Sequence, residues 1–258
     1  MPKGIYAAAS AMVVETRTQD LIARNLANSQ TDGYRRETAV RTSFAEELKK
    51  QGRGGGLDGD GGAGVLDAGG YYHFNDGQTD PTGAPLDLAL HGDAFYRVRA
   101  AEGKDLLTRA AHFTVDGEGR LVTPQGWTVE GQGGPITIPK NANKVIVDHT
   151  GRVSIEVGGG DGGKPEEVIL DQLRVVTVDH PERMRAENGQ YFEPGDQAQT
   201  DAKTYEVRQG QLERANIDPI HEMVDMIAVQ RRYDAAQRAL REQANLGGNL
   251  SDLLRGPA

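Results

Sequence analysis

Met223-Val224-Asp225-Met226-Ile227-Ala228-Val229-Gln230-Arg231-Arg232-Tyr233-Asp234-Ala235-Ala236-Gln237-Arg238-Ala239-Leu240 carries two seven-residue registers. Met223, Gln230, Gln237 and Ala244 share one, and Met226, Tyr233 and Leu240 share the other. That is the 3.5-residue seam of a helix packed lengthwise on another helix. The segment opens with Asn216-Ile217-Asp218-Pro219. Asp218 can cap the first free amides, and Pro219 suits the first turn. The other end of the chain matches it. On a 3.6-residue helix Ile5, Ala8, Ala9, Met12, Thr16, Gln19, Ala23, Leu26 and Ala27 fall within an arc of about 100°. Asn28 to Gly33 supplies the stop. Both seams carry glutamine where a closed coiled coil would carry leucine: Gln19 in one, Gln230 and Gln237 in the other.

Glycine marks the boundaries. There are 34 glycines in 258 residues, close to twice the usual share of ~7%. None falls in 5–32 or 211–246, and ten crowd into 52–70. Helices avoid glycine, whereas turns and linkers use it. Between the helices run short β-prone stretches: Leu106–Thr108, His112–Val115, Gly119–Thr123, Trp127–Val129, Ile136–Ile138, Val145–Val147, Val153–Val157 and Leu173–Val178. Strands this short, with no helical pattern between them, predict an antiparallel body. The expected fold is α+β, with N- and C-terminal helices packed together and a central antiparallel β-rich domain. Its expected divisions are 1–45 with 211–258 as a discontinuous helical domain, 46–79 as a glycine-rich flexible linker or extended segment, and 80–210 as the β-rich domain. Residues 51–70 read as a mobile segment with little to bury.

Composition narrows the function. The net charge of −9 repels a phosphate backbone, and Arg35-Arg36 and Arg231-Arg232 are too short to make a basic patch. No nucleic-acid partner is expected. No apolar run approaches the ~18 residues of a membrane span, and the N-terminus lacks the continuous apolar core of a secretory signal. There is no cysteine, which excludes disulfides, thiolate metal sites and a cysteine nucleophile.

Catalytic and ligand signals fail one by one. The six histidines show no ligand spacing. Asp58-Gly59-Asp60-Gly61-Gly62 resembles a calcium loop, but Gly62 and Gly69 occupy ligand positions. Gly131-Gln132-Gly133-Gly134 leads into a strand and not a helix, so it reads as a turn and not a phosphate cradle. His91-Gly92-Asp93 also reads as a turn. No catalytic residue, cofactor or metal is expected. A competing reading, a β-rich cell-wall binding module or hydrolase using Asp93 or Glu118, lacks the second carboxylate that glycoside hydrolysis requires.

Four stretches resemble one family. Asn25-Leu26-Ala27-Asn28-Ser29-Gln30-Thr31-Asp32-Gly33-Tyr34 is similar to the Asn-Leu-Ala-Asn signature of bacterial flagellar rod and hook proteins. Residues 80–96, with Leu86-Asp87-Leu88-Ala89-Leu90-His91-Gly92-Asp93-Ala94-Phe95, resemble their Leu-Asp-x-Ala…Gly-Asp-Gly-Phe segment. Leu107-Thr108-Arg109 through Asp116-Gly117-Glu118-Gly119-Arg120-Leu121 resembles their Thr-Arg hairpin, and Gln211-Leu212-Glu213-Arg214-Ala215-Asn216-Ile217 with the helix after it resembles their C-terminus. Ala94 and Ala110 depart from the family, which often has glycine there.

The resemblance implies a structural, non-enzymatic subunit of the basal-body rod, of the FlgF/FlgG type. Ile5-Tyr6-Ala7-Ala8 and the glycine-rich stretch lean towards the proximal type, with a distal-rod or hook-type protein as the alternative. In that family the terminal helices form an inner tube wall, the β domain lies outside it, and subunits pass through the type III export apparatus to the periplasmic rod without a cleaved signal peptide. Implied partners are other rod and hook-family subunits, copies of itself and the export apparatus, with no membrane insertion. Termini that are frayed in the monomer would order on stacking. The expected assembly positions are Ile5, Met12, Gln19, Asn25, Leu26, Asn28, Gly33, Tyr34, Met223, Ile227, Gln230, Tyr233 and Leu240. The plainer alternative for the same helices is an intramolecular hairpin.

Overall fold

The computed structural model describes residues 2–43, 65–101, 103–158 and 166–255. Two compact units divide the chain: residues 1–27, 37–72 and 218–258 form the first, and 28–36 with 73–217 form the second.

The first unit is built on two helices, α1 (Pro2–Ala27) and α2 (Pro219–Arg255). Asp218 caps α2 as its sequence suggests: its carboxylate accepts from the Ile220 amide at 2.9 Å. The helices pair antiparallel. Asn25 reaches Glu222 at 3.4 Å, Gln19 donates to Gln230 at 3.1 Å and Arg232 donates to Glu15 at 3.1 Å. Near the far end Gly4 lies against the Gln243 amide, where a Cβ would clash. The intramolecular hairpin is therefore present in the chain.

The buried face of α1 follows the expected arc only in part: of its members Ala8 is buried and Ala9, Met12, Gln19 and Leu26 are half-buried. Ala8, Val14, Leu21, Ile22 and Asn25 are buried with Glu15, whereas Ile5, Thr16, Ala23 and Ala27 are exposed. An alanine-rich helix has small apolar groups all round, so the partner helix and its polar pairs choose the face. On α2 the second register holds better than the first. Met226, Tyr233 and Leu240 are half-buried, while Met223, Gln230 and Ala244 are exposed.

A hairpin completes this unit. Strand β1 (Glu37–Ser43) pairs antiparallel with β2 (Val65–Tyr72), from Glu37 opposite Tyr72 to Ser43 opposite Val65. Residues 65–70, read from glycine content as part of a mobile segment, are thus a paired strand. Val65-Leu66 and Tyr71-Tyr72 are strand-forming, and the β1 backbone meets the demand that the glycines leave open. Residues 51–64, with Asp58 and Asp60, lie outside the described residues.

The second unit is β-rich, with antiparallel pairing and one 3-10 turn at Pro181–Arg183. Nine strands make the largest sheet: β5 (Phe95–Arg99), β6 (Asp105–Thr108), β7 (Thr114–Val115), β8 (Leu121–Val122), β9 (Thr128–Val129), β13 (Val175–Val178), β14 (Arg185–Ala186), β15 (Tyr191–Glu193) and β16 (Gln199–Asp201). A path β14-β15-β6-β5-β9-β8-β7 runs through it, and β13 joins β5 to β16. A three-stranded sheet is ordered β10 (Ala142–Val147), β11 (Arg152–Val157), β12 (Glu166–Gln172). Two short ladders close the body: β4 (Leu88–His91) with β17 (Glu206–Gln209), and β3 (Thr79–Pro81) with β18 (Gln211–Glu213). The run Ile136–Ile138 is not a strand. It is held by bridges from Thr137 to Arg120 and from Pro135 to Glu130, which still bury Ile136 and Ile138.

Apolar faces of these sheets meet in one core that includes Leu88, Leu90, Tyr96, Val98, Phe113 and Ile155. Edge-to-face contacts between Tyr96 and Phe113 (5.7 Å) and between Trp127 and Tyr191 (4.6 Å) fill it. Among the described residues the helical unit buries Ala8, Val14, Leu21, Ile22 and Val229, with Glu15, Asn25 and Glu222.

Candidate assembly surface

The Asn-Leu-Ala-Asn signature has local structural reasons. In the helical unit the Asn25 carboxamide acts as a strand partner: it donates to the Glu37 carbonyl at 2.9 Å and accepts from the Glu37 amide at 3.1 Å. Only a carboxamide presents both groups side by side. In the β unit the Asn28 carbonyl and carboxamide take the Thr31 amide (3.0 Å) and hydroxyl (3.4 Å), which forms the turn. Gly33 then adopts φ +67°, and a Cβ there would overlap the Ala110 backbone. Tyr34 is buried against Gly189, where a Cβ would enter the Tyr34 ring. Gly33→Ala is expected to destabilise the β unit by about 2 kcal/mol or more, since strain and overlap add. Urea denaturation checks it, and a change below 0.5 kcal/mol would show that the loop yields.

Behind this turn lies a buried ionic cluster. The Glu213 carboxylate accepts from Arg35 at 2.7 Å, from the Gly77 amide at 2.8 Å and from Arg109 at 3.5 Å. Arg109 also donates to Asp76 (2.9 Å) and the Leu90 carbonyl (2.6 Å), and it stacks 5.6 Å over the Phe95 ring. Burial pushes the Arg35 guanidinium below its ordinary pKa, against the opposing pull of Glu213. Beside the cluster, Arg214 binds Asp80 and Asp32, each at 2.9 Å; the hydrogen bond to Asp80 and the charge of Asp32 hold it above its usual pKa. Asn216 accepts from the Arg36 amide at 2.7 Å and donates to the His73 carbonyl at 2.7 Å. The residue reading assigned no role to Arg35, Arg109 or Glu213. One signal was available: charged residues set within β-prone, apolar text such as Leu106-Leu107-Thr108-Arg109-Ala110-Ala111.

The helical unit presents the opposite character. Ile220, Met223, Val224 and Ile227 follow i, i+3, i+4, i+7 spacing and are 51–74% exposed. Ile5, Tyr6 and Val13 are exposed on α1. Of thirteen exposed large hydrophobics among the described residues, ten lie in this unit. Exposed large hydrophobics are thus concentrated in this unit among the described residues.

Comparison with known proteins agrees with both halves of this geometry. Residues 89–155 match the flagellar hook protein FlgE/F/G D1 domain, and 208–253 match the flagellar basal body rod FlgEFG protein C-terminal model. The flagellar basal-body rod protein FlgF of Caulobacter vibrioides is 32% identical, over 95% of each chain. That of Salmonella typhimurium is 30% identical, over 98% of this chain and 99% of its own. The chain belongs to the flagellar basal-body rod protein family. A FlgG relative from Borreliella burgdorferi is 26% identical over 99% of this chain.

Within this rod-family chain the expected assembly positions divide by environment. Ile5, Met223, Ile227 and Gln230 are exposed, and Met12, Gln19, Leu26, Asn28, Tyr233 and Leu240 are half-buried. Asn25, Gly33 and Tyr34 are buried and hold local structure. Asp93 and Glu118 are exposed, Glu118 beside Arg120 at 3.1 Å. Among the described residues no group of three or more His, Asp or Glu gathers as for a metal ion, and no helix is long and apolar enough to cross a membrane.

Proposed function

We infer that this chain is a structural, non-enzymatic subunit of the bacterial flagellar basal-body rod. It assembles through its terminal helices with copies of itself and with other rod and hook-family subunits, reaching the periplasmic rod through the flagellar export apparatus. The observation that carries this reading is the exposed apolar stripe Ile220, Met223, Val224 and Ile227 on α2. Stacking against neighbours would cover that stripe and contribute apolar burial. Ile5, Met12, Gln19, Leu26, Met223, Ile227, Gln230, Tyr233 and Leu240 are the contact positions. Asn25, Asn28, Gly33 and Tyr34 act by shaping the chain on either side of the helix end. The proximal type is favoured, since relatives named FlgF reach 29–32% identity and those named FlgG 24–27%.

Deleting residues 2–27 tests the reading. The truncated protein is expected to retain a folded β unit and to be absent from purified basal bodies, as judged by imaging a tag. Incorporation of the truncated chain at the normal level would overturn the terminal-helix mechanism.

A further inference from the structure

The β unit exposes three large hydrophobics among its described residues: Val115, Val168 and Ile169. Two are adjacent on β12, the outer strand of the three-stranded sheet. Glu166, Glu167, Val168 and Ile169 are all exposed. The far end of β12 is occupied on its outer side: the Gln172 carbonyl accepts from the Gln132 amide, and the Asp171 carboxylate takes the Gly133 amide at 3.0 Å. The outer edge of Glu166–Leu170 has no backbone partner among the described residues. Such an edge is a template for another chain.

The opposite edge of the same sheet is different. Strand β10 is closed over its second half by the Gln209 amide group, which donates to the Val145 carbonyl (3.0 Å) and accepts from the Val147 amide (3.2 Å). Beside its first half lies a groove of about 380 Å³. Pro85, Val115, Ile138 and Val145 line it, with Lys140, Lys144 and Asp116, whose carboxylate is held by Arg120 at 2.8 Å. Its Val115 wall is β7, the end strand of the largest sheet, with both residues exposed.

We propose that Glu166–Leu170 of one copy docks as an extended strand in the groove between β7 and β10 of the next copy. This deepens the assembly reading and rests on it. The occupant is a second copy because the two surfaces are complementary. Glu166 and Glu167 bring two carboxylates to Lys140 and Lys144, in addition to the contacts that Glu167 makes with Ser154 (2.6 Å) and Lys144 with Glu156 (4.0 Å), while Val168 and Ile169, on opposite faces of the strand, meet the two walls formed by Val115, Pro85 and Ile138. Donor and acceptor lie at opposite edges of one sheet, so the contact is head to tail and each copy keeps a free donor and a free acceptor for further copies.

The absence of cysteine makes the test clean. Full-length Ile169→Cys and Val115→Cys chains are mixed at high concentration under mild oxidation. Disulfide-linked dimers are expected in the mixture at about tenfold the yield of either chain alone. Glu166→Lys with Glu167→Lys on the donor is expected to remove that excess, and Lys140→Glu with Lys144→Glu on the acceptor to restore it. An Ile169→Cys chain that links to itself as well as to its partner would overturn the proposal. So would a mixture without excess dimer, or indifference to charge reversal. Adding Ile227→Asp to both chains separates the two readings: assembly should fail while the cross-link persists. Loss of the cross-link together with assembly would overturn the groove contact, whereas continued assembly would overturn only the helical mechanism.

Discussion

Replacing Ile227 with aspartate is expected to raise the critical concentration for rod assembly at least ~100-fold while leaving the monomer's melting temperature within about 2 °C of the parent. Ile220, Met223, Val224 and Ile227 are 51–74% exposed, so roughly half of the ~1.5–3 kcal/mol available from burying each is still open to a neighbour. Together that is of order 4 kcal/mol, about a thousandfold in an association constant. Aspartate at the C-terminal end of the stripe removes one share and adds the cost of desolvating a carboxylate. The helix itself should tolerate the change, because Arg231 stands four residues on and can pair with the new charge. Sedimentation of assembled material against concentration, with circular dichroism on the monomer, separates the two effects. An unchanged critical concentration would mean that this face is not the contact.

Replacing Glu213 with alanine is expected to cost the β unit about 3–5 kcal/mol. Its carboxylate, 2% exposed, is shared by Arg35 and Arg109, which are 0% and 1% exposed. Alanine leaves two buried guanidinium groups with mutual repulsion and strands the Gly77 amide. For a unit of this size the loss corresponds to a fall of roughly 10 °C in melting temperature. Glu213→Gln keeps acceptors for Arg35 and Gly77 without the charge, so it should fall between the two. Calorimetry decides: a Glu213→Ala protein within 1 kcal/mol of the parent, or one indistinguishable from Glu213→Gln, would show that the charge is not what holds the cluster. Arg35 stands two residues before β1 and Glu213 six before α2.

Much of this was legible in the chain. Glycine-free stretches and heptad spacing placed α1 and α2, because a helix repeats its own period and needs no distant partner to declare itself. Short β-prone runs such as Val153–Val157 gave the antiparallel body. The Ile136–Ile138 run was misleading, since its alternation reflects burial beneath isolated bridges and not membership of a ladder. Glycine content misled at 65–70 for a related reason: the ladder comes from β1, more than twenty residues away, and local composition carries no trace of it. Glu166–Gln172 escaped notice because a strand exposed on both faces does not alternate.

The sequence by itself determined two terminal helices, an antiparallel middle and a set of motifs shared with rod proteins. Each depends on neighbours a few residues apart. Only the tertiary structure decided which faces those helices bury. Arc counting chose Ile5, Met12 and Ala23 on α1, whereas Glu15 and Asn25 turn inward because Arg232, Glu222 and Glu37 are waiting for them. A polar residue's burial is set by its partner, and the partners of these two lie as far as 217 positions along the chain.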